Sequence, residues 1–487
     1  MLELLQSASN SPNRYVRLAV TLLICLIAGM VGGALLGYLG PLLTIVLVTA
    51  IAIGIMVLRS TQVGLYVLTG VICLLPFATL PIDIGFSPTL LDISMGAVFF
   101  VWAMQIMTHR QGNFIATPIG LPVLVFILLA IAAFIAGLAH ASLTANILRH
   151  FAEIILCISL FFLIVNCVRT RRQLEQLVVV ILLAGFCTAA IGIVLYLLPR
   201  DLSIRILSTL KVVRYPSGPG VLRYVEDNPD LSLRAISTVV DPNILGGMLI
   251  LLTGLAVPQL FVRDPLLPRR WISAIVVTMG LCLILTFSRS SLLGLSIALF
   301  VLGAVRYRRL LWALLAVTLL ALILPQTQTY IQHFLEGIRG EDLATQMRFG
   351  EYKDALILIS RYPWFGVGFA GTPDIDTYLG VSSVYLMIAE KMGLIGLLAF
   401  IIPAGLFFSH TWQTLRRTIQ DPRIEAILLG FQTAVLGALI GGTLDHYLFN
   451  LDFPHTAAIF WMYVGLGMVA ARLALTDDSD GDETETD

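Results

Sequence analysis

The chain has 487 residues, of which 58% are hydrophobic and 12% are charged, and its mean hydropathy is +0.92. Soluble globular domains carry about 25% charged residues, so this composition excludes an ordinary soluble protein. The net charge is zero, but residues 477–487 hold seven of the 30 acidic residues. The rest of the chain therefore has an excess of seven basic residues.

About fourteen apolar stretches are long enough to cross a bilayer, which takes about 20 residues. They predict an all-α polytopic membrane protein with about 14 transmembrane helices. The first stretch is too long for the core of a signal peptide, and we interpret it as a retained anchor. The predicted spans are 17–38, 41–58, 61–80, 91–107, 120–139, 147–168, 176–198, 239–262, 271–287, 290–305, 310–325, 383–408, 425–444 and 456–473.

The distribution of arginine orients these spans. If the N-terminus is cytoplasmic, the inner connections carry Arg59, Arg110, Arg169, Arg263, Arg306 and Arg416, in agreement with the positive-inside rule. An even number of spans then places the C-terminus in the cytoplasm as well. We expect localisation in a bacterial inner (cytoplasmic) membrane.

The same threading places two long connections outside, and these hold ten of the 30 basic residues. Such an excess indicates an anionic ligand, and a solvated surface paired with nearby acids is the alternative. The predicted organisation is N-terminal spans in 1–198, a first outer loop in 199–238, central spans in 239–325, a large outer loop in 326–382, C-terminal spans in 383–473 and an acidic, disordered tail in 474–487.

Arg234 precedes the Asp241-Pro242-Asn243 sequence, where the first outer loop returns to the membrane. Asp-Pro-Asn predicts a helix start, whose free N–H groups attract anions. A simple helix cap is the alternative for Asp241 and Asn243, but it does not explain Arg234. Arg289, in a short Ser288-Arg289 turn, is either an interfacial anchor or the partner of a buried acid or a phosphate.

The large outer loop contains a predicted amphipathic helix before Pro363. Arg348 and Glu351 share one face of it and could equally form an exposed ion pair. Arg361 lies near the end of this helix. The Gly366-x-Gly368 that follows does not open a helix and is therefore not a dinucleotide-binding motif.

The last two outer segments contain further candidates. Ser382, Ser383 and Tyr385 lead into a span that contains Glu390 and Lys391, which are ionisable groups within the membrane. His446 follows Asp445 and could accept a proton, although a plain polar turn is the alternative. The Asp374-Ile-Asp376 pair is a weaker candidate for holding a divalent cation. The chain lacks motifs for zinc proteases, nucleotides or nucleic acid, so we expect no metal, no cofactor and no nucleic-acid partner.

These motifs, in this order, resemble the O-antigen ligase and O-antigen polymerase superfamily of bacterial envelope glycosyltransferases. The features that carry the resemblance are Arg234 to Asn243, the Ser288-Arg289 turn, the helix at Arg348, Pro363-x-x-Gly366-x-Gly368, and Tyr385 followed by Gly393 and Gly396. They extend over roughly residues 60–473, and the fold implied is GT-C-like.

The resemblance implies an undecaprenyl-diphosphate-linked glycan as donor, with the diphosphate held by arginines at the outer membrane edge. By position these would be Arg234 and Arg348, with Arg289 as a weaker candidate and Asn243, Ser382, Ser383, Tyr385 and Arg361 nearby. The transfer would invert the anomeric centre without a metal, in O-antigen or exopolysaccharide synthesis. Members of the family often work beside a chain-length regulator, which is a further partner to test.

Ligases of this superfamily usually have a His-Asn pair where this chain has Ser382-Ser383, and a serine hydroxyl is not a comparable base. Glu351, Asp354, Glu390 or His446 could replace the histidine, and the departure favours a polymerase over a ligase. Two other classes stay open: a transporter of a small anion or of the lipid-linked glycan, and an inactive subunit of an export complex.

Overall fold

A computed structural model describes residues 13–80, 87–109, 112–139, 142–324, 328, 331–332, 335–337, 339–371, 380–417 and 421–482. These residues fall into two compact units, Met1–Val63 and Gly64–Asp487. The described chain is almost entirely helical, as the sequence predicts, and its only sheet has two short strands.

The helices are α1 (Arg14–Arg59), α2 (Thr61–Leu74), α3 (Leu90–Met107), α4 (Gly120–Gly137), α5 (Ala145–Cys167), α6 (Arg171–Leu197), α7 (Arg200–Thr209), α8 (Pro242–Ala256), α9 (Arg269–Leu285), α10 (Arg289–Val305), α11 (Arg308–Ile323), α12 (Leu343–Arg361), α13 (Val384–Arg416), α14 (Pro422–Gly441) and α15 (Pro454–Asp482). The strands are β1 (Arg223–Tyr224) and β2 (Leu233–Arg234), which pair antiparallel.

Among the residues that the structure describes, eight helices are long and apolar enough to cross a membrane, so the chain is a multi-pass membrane protein. They are α3, α4, α5, α6, α8 with the turn after it, α13, α14 and α15. Every predicted span overlaps a helix. The first two overlap α1, which is interrupted at Gly40, where φ is 76°. The remaining helices of the bundle, α2, α9, α10 and α11, have 14 to 17 residues, so the count of fourteen spans stays a prediction.

Helices α8, α14 and α15 form the buried centre of the second unit. In α8 every residue except Asn243 is buried. Glycines allow close backbone contact there: a Cβ on Gly254 would collide with Ala434, and one on Gly294 would collide with Gly437. Small residues are the usual means of packing helices tightly in membranes. The helices at this centre are therefore closely packed, and the connections that form the site described below begin or end at α8, α14 and α15.

The Gly366-x-Gly368 segment packs against a break in α13. At Gly393 φ is 70°, and the helical hydrogen bonding is interrupted. The N–H groups of Val367 and Gly368 donate to the carbonyls of Glu390 and Lys391 at 2.9 Å each, and the Leu394 N–H donates to the carbonyl of Pro363 at 2.7 Å. Unpaired backbone groups are very costly within a membrane. The glycine motif therefore satisfies the backbone of a broken helix.

Helix α15 continues to Asp482, well past the predicted end of the last span at residue 473, and the disorder of the acidic tail stays a prediction. Extending an existing helix costs far less than nucleating one, so the buried span supports the polar residues that follow it.

Candidate functional site

Arg234 is positioned by the folded connection between α6 and α8. It ends β2 and pairs with Arg223 of β1, and the next N–H, of Ala235, donates to the carbonyl of Leu285 at 2.8 Å. Ile236 then enters a small hydrophobic cluster with Leu195 and Leu207. This connection therefore ties Arg234 to the end of α9.

The guanidinium of Arg234 is held by two hydrogen bonds. Nε donates to the carbonyl of Thr286 at 2.8 Å and Nη2 donates to Oδ1 of Asn243 at 2.6 Å. Burial lowers the pKa of Arg234, as does the charge of Arg348, while Asp241 and Asp445 oppose the shift. Arginine stays protonated in proteins and has five N–H donors. The remaining donors of this half-buried cation are available to a ligand.

The predicted anion site at the start of α8 is corrected. Asp241 caps the helix, with Oδ1 accepting from the N–H groups of Asn243 and Ile244 at 2.8 and 3.0 Å. A carboxylate therefore occupies the position that an anion would take, as the helix-cap alternative predicts for Asp241. Asn243 lies inside the helix and does not cap it. Its side-chain carbonyl accepts a hydrogen bond from Arg234 instead.

Arg289 lies at the turn between α9 and α10, and Phe287 in this turn has a left-handed φ of 53°. Nη2 of Arg289 donates to Oδ2 of Asp342 at 2.6 Å and to the hydroxyl of Thr345 at 3.3 Å. Asp342 also caps α12. Its burial would raise its pKa, but the hydrogen bonds and charge of Arg289 together with Thr345 hold the pKa well below the usual value. The alternative of an arginine paired with a buried acid is therefore correct.

Arg348 completes what we call the arginine cavity. This cavity has a volume of about 70 Å³ and is lined by Val225, Glu226, Arg234, Asn243, Phe287, Arg289, Ala344 and Arg348. Three cations from different segments of the chain meet there. Arg289 is neutralised by Asp342, and Glu226 adds one acid, so the surplus positive charge comes from Arg234 and Arg348.

Arg348 and Glu351 do not form the ion pair that was the alternative. Oε2 of Glu351 instead accepts from the N–H and the hydroxyl of Ser382, at 2.9 and 2.7 Å. The hydroxyl of Tyr352 donates to the carbonyl of Ser382 at 3.1 Å. These hydrogen bonds attach the segment before α13 to α12. Within the described ranges, Arg348 forms no ion pair.

A second, larger cavity also borders α12 and is called the histidine cavity here. Its volume is about 240 Å³, and its lining is Glu351, Gly380, Val381, Ser382, Met387, Lys391, His446, Asn450, Leu451 and Asp452. Arg348 and Glu351, which line one cavity each, are three residues apart on α12. Their Cβ atoms are thus roughly 5–6 Å apart.

Asp445 and His446 form a hydrogen-bonded pair. Nδ1 of His446 lies 3.1 Å from Oδ1 of the buried Asp445, whose Oδ2 accepts from the hydroxyl of Ser290 at 3.3 Å. Burial alone would lower the pKa of His446, but the hydrogen bond and charge of Asp445, with Glu351 and Asp241, raise it above the ordinary value. The histidine keeps Nε2 as its second nitrogen, which can act as a base when neutral.

Three predicted residues lie outside both cavities. Ser383 is buried at the start of α13 without a side-chain capping bond. The hydroxyl of Tyr385 donates to the carbonyl of Leu439 at 2.9 Å and ties α13 to α14. Arg361 is 13 residues beyond Arg348, which is about 20 Å along α12. The structure therefore does not bring Arg361 to the arginine cavity.

Glu390 and Lys391 are both buried, at 1% and 8% exposure. Oε1 of Glu390 accepts from the N–H of Gly380 at 3.2 Å. The ammonium of Lys391 lies 5.5 Å from the centre of the Phe369 ring. Only Lys391 of the two lines the histidine cavity.

Sequence reasoning missed one buried polar cluster. Arg149 bonds to Asp92 at 2.9 Å and lies 3.6 Å from Glu153, whose side chain is 2% exposed. Glu153 is an acid within an apolar span, and that signal alone could have identified it.

The paired Asp374 and Asp376 lie outside the described residues. Within the ranges that the structure describes, no three His, Cys, Asp or Glu side chains are grouped so that they could hold a metal ion.

Residues 274–401 match a family model described as O-antigen ligase. The match covers about a quarter of the chain and confirms the resemblance to the O-antigen ligase and polymerase superfamily over that stretch. It contains Arg289, Arg348, Glu351 and Lys391, whereas Arg234 and His446 lie outside it. No curated protein sequence matches the chain.

Proposed function

We propose that this protein is an inner-membrane glycan polymerase. It transfers a glycan from an undecaprenyl-diphosphate-linked donor to a sugar hydroxyl, in the synthesis of O-antigen or an exopolysaccharide. The observation that carries the proposal is the arginine cavity, where Arg234, Arg289 and Arg348 converge beside a second polar cavity. The matched O-antigen ligase domain supports the same class of membrane enzyme.

The arginine cavity suits a phosphate leaving group. A guanidinium matches the oxygens of a phosphate in bidentate fashion. Arg234 is already oriented by Thr286 and Asn243, so little reorganisation is needed when the donor binds.

The reaction is a displacement at the anomeric carbon. The acceptor hydroxyl oxygen forms the new bond to C1, the bond from C1 to the phosphate oxygen breaks, and its electron pair stays on the diphosphate. Arg234 and Arg348 stabilise the charge that develops there. His446, oriented by Asp445, accepts the hydroxyl proton on Nε2. Glu351 is a weaker base because Ser382 already donates twice to one of its oxygens.

A ligase is the second candidate, since the matched family model carries that description. Polymerase and ligase would share the donor and differ in the acceptor. Ser382 stands where ligases of this superfamily usually have a histidine, and it donates hydrogen bonds to Glu351. The lack of an imidazole at this position favours the polymerase. A transporter is less favoured because residues of the outer connections line both polar cavities.

Reconstitution tests the proposal. The purified protein is placed in proteoliposomes with the lipid-diphosphate-linked oligosaccharide that the enzymes of its own gene neighbourhood synthesise. The masses of the lipid-linked products are then measured by mass spectrometry. A ladder of longer chains on the lipid supports a polymerase, and transfer to a lipid A core acceptor alone indicates a ligase. Movement of labelled donor across the bilayer without any transfer would reject both.

A further inference from the structure

Lys391 is a buried cation that lines the histidine cavity. It lies seven residues after the start of α13, or about 10 Å along the helix, and is 8% exposed. A buried ammonium is stabilised by oxygen atoms that accept its hydrogen bonds. A ligand in the cavity would supply such oxygens.

The neighbouring groups do not provide those oxygens within the described part of the chain. No ion pair or side-chain hydrogen bond of Lys391 is found there, and its ammonium lies 5.5 Å from the centre of the Phe369 ring. Glu390 and Asp452 attract this cation electrostatically without a hydrogen bond or ion pair to it. Oε1 of Glu390 accepts from Gly380 instead, and Glu390 does not line the cavity.

The other walls of the cavity offer a mixture that suits a sugar ring. Glu351, Asp452, Ser382 and Asn450 present hydrogen-bond acceptors and donors, while Met387 and Leu451 present apolar surface. Four separate segments contribute: α12, residues 380–382, α13 and the connection between α14 and α15. A volume of about 240 Å³ is below the roughly 300–1,000 Å³ of sites for drug-sized ligands, which favours a single sugar unit.

We propose that the histidine cavity is the acceptor subsite of the proposed transferase, and that Lys391 determines its specificity by donating hydrogen bonds to oxygen atoms of the acceptor sugar. The inference rests on the proposed function. It places the acceptor hydroxyl between His446 and the arginine cavity, because Glu351 and Arg348 are neighbours on one face of α12. Asp452, which also lines the cavity, binds hydroxyl groups of the same ring.

The two cavities can be separated by binding measurements that need no turnover. The probes are inorganic diphosphate for the arginine cavity and the methyl glycoside of the donor's terminal sugar for the histidine cavity, both followed by ligand-observed NMR on the full chain in detergent. The variants are Lys391→Met, Asp452→Ala and Arg348→Ala. Asp452 is exposed in a connection, so its variant reports on the cavity even where a change at the buried Lys391 disturbs folding.

The expected result is a double dissociation. Lys391→Met and Asp452→Ala each weaken glycoside binding about tenfold or more, and diphosphate binding is kept. Arg348→Ala weakens diphosphate binding and leaves glycoside binding intact. Unchanged glycoside affinity in Asp452→Ala and in folded Lys391→Met would overturn the proposal, as would an equal loss of both probes in these variants. A wild-type protein that binds both probes at separate cavities but transfers nothing would reject the polymerase and keep the subsite.

Discussion

Arg234 and Arg348 share a cavity but differ in how they are held. Arg234 is fixed by a backbone carbonyl and an amide, whereas Arg348 projects from an exposed helix and has no ion pair among the described residues. A held cation pre-organises the site, and a freer one can follow the phosphate as the bond to the sugar breaks. The two arginines should therefore respond differently to conservative substitution.

Arg348→Lys should lose activity although it keeps the charge. A lysine ammonium cannot bind two phosphate oxygens in the planar geometry of a guanidinium. We expect a fall of about 10²–10³ in kcat/KM for glycan transfer, which is the cost typical of one lost donor to a developing anion. The matched control is Lys353→Ala, which removes an exposed cation of the same helix. Equal activities of Arg348→Lys and wild type would mean that charge alone suffices.

The pH dependence tests His446 as the base. Its pKa is raised by Asp445, Glu351 and Asp241, and only neutral imidazole accepts a proton. The rate should therefore fall as the pH drops through a pKa above 6.5, the ordinary value for histidine. Asp445→Asn removes a carboxylate that favours imidazolium, so it should move this acid limb to lower pH and reduce the maximal rate.

The control for this profile is His109→Gln, which changes an exposed histidine of another connection and should leave the profile unchanged. Loss of the acid limb in His446→Gln would support the assignment. An acid limb that stays at the same pH in both His446→Gln and Asp445→Asn would assign the base to another group.

At the scale of elements, hydropathy and turn residues predict most of the architecture. Every predicted span overlaps a helix, and the helix before Pro363 is found as α12. Partners distant in sequence could not be predicted. Arg289 and Asp342 are 53 residues apart, and nothing in either local sequence selects the other. The sequence therefore predicted the three arginines and, as one alternative, a buried acid beside Arg289, but it could not identify that acid as Asp342.

The packing of the Gly366-x-Gly368 segment on α13 gives a prediction about stability. At Gly393 φ is 70°, and a Cβ there would collide with the carbonyl of Trp364. Gly393→Ala should destabilise the protein by about 1–3 kcal/mol, the usual cost of a strained backbone conformation. Thermal unfolding in detergent measures it.

Gly405→Ala is the matched control on the same helix, because a Cβ at Gly405 meets no atom within 4 Å. It should be neutral or stabilising by up to about 1 kcal/mol, since alanine favours helix over glycine. A Tm of Gly393→Ala at or above that of Gly405→Ala would contradict the role given to the helix break.

At the scale of the whole molecule, the orientation is a prediction from the distribution of arginine, and labelling can test it. In a cysteine-free background, a membrane-impermeant maleimide should label Asp230→Cys and Lys353→Cys from outside. It should reach Arg270→Cys and Arg308→Cys only after permeabilisation, because these lie on connections placed in the cytoplasm. The reverse pattern would place both polar cavities on the cytoplasmic side and contradict the proposed donor.

Elongation of a lipid-diphosphate-linked oligosaccharide in proteoliposomes tests the central claim most directly. Wild-type protein should produce longer lipid-linked chains, and Arg234→Ala should reduce their rate of formation by about 10²–10³, as expected for a lost contact to the leaving group. Lys353→Ala should behave as wild type. Elongation by Arg234→Ala at the wild-type rate would contradict the account, since the arginine cavity would then not bind the leaving diphosphate.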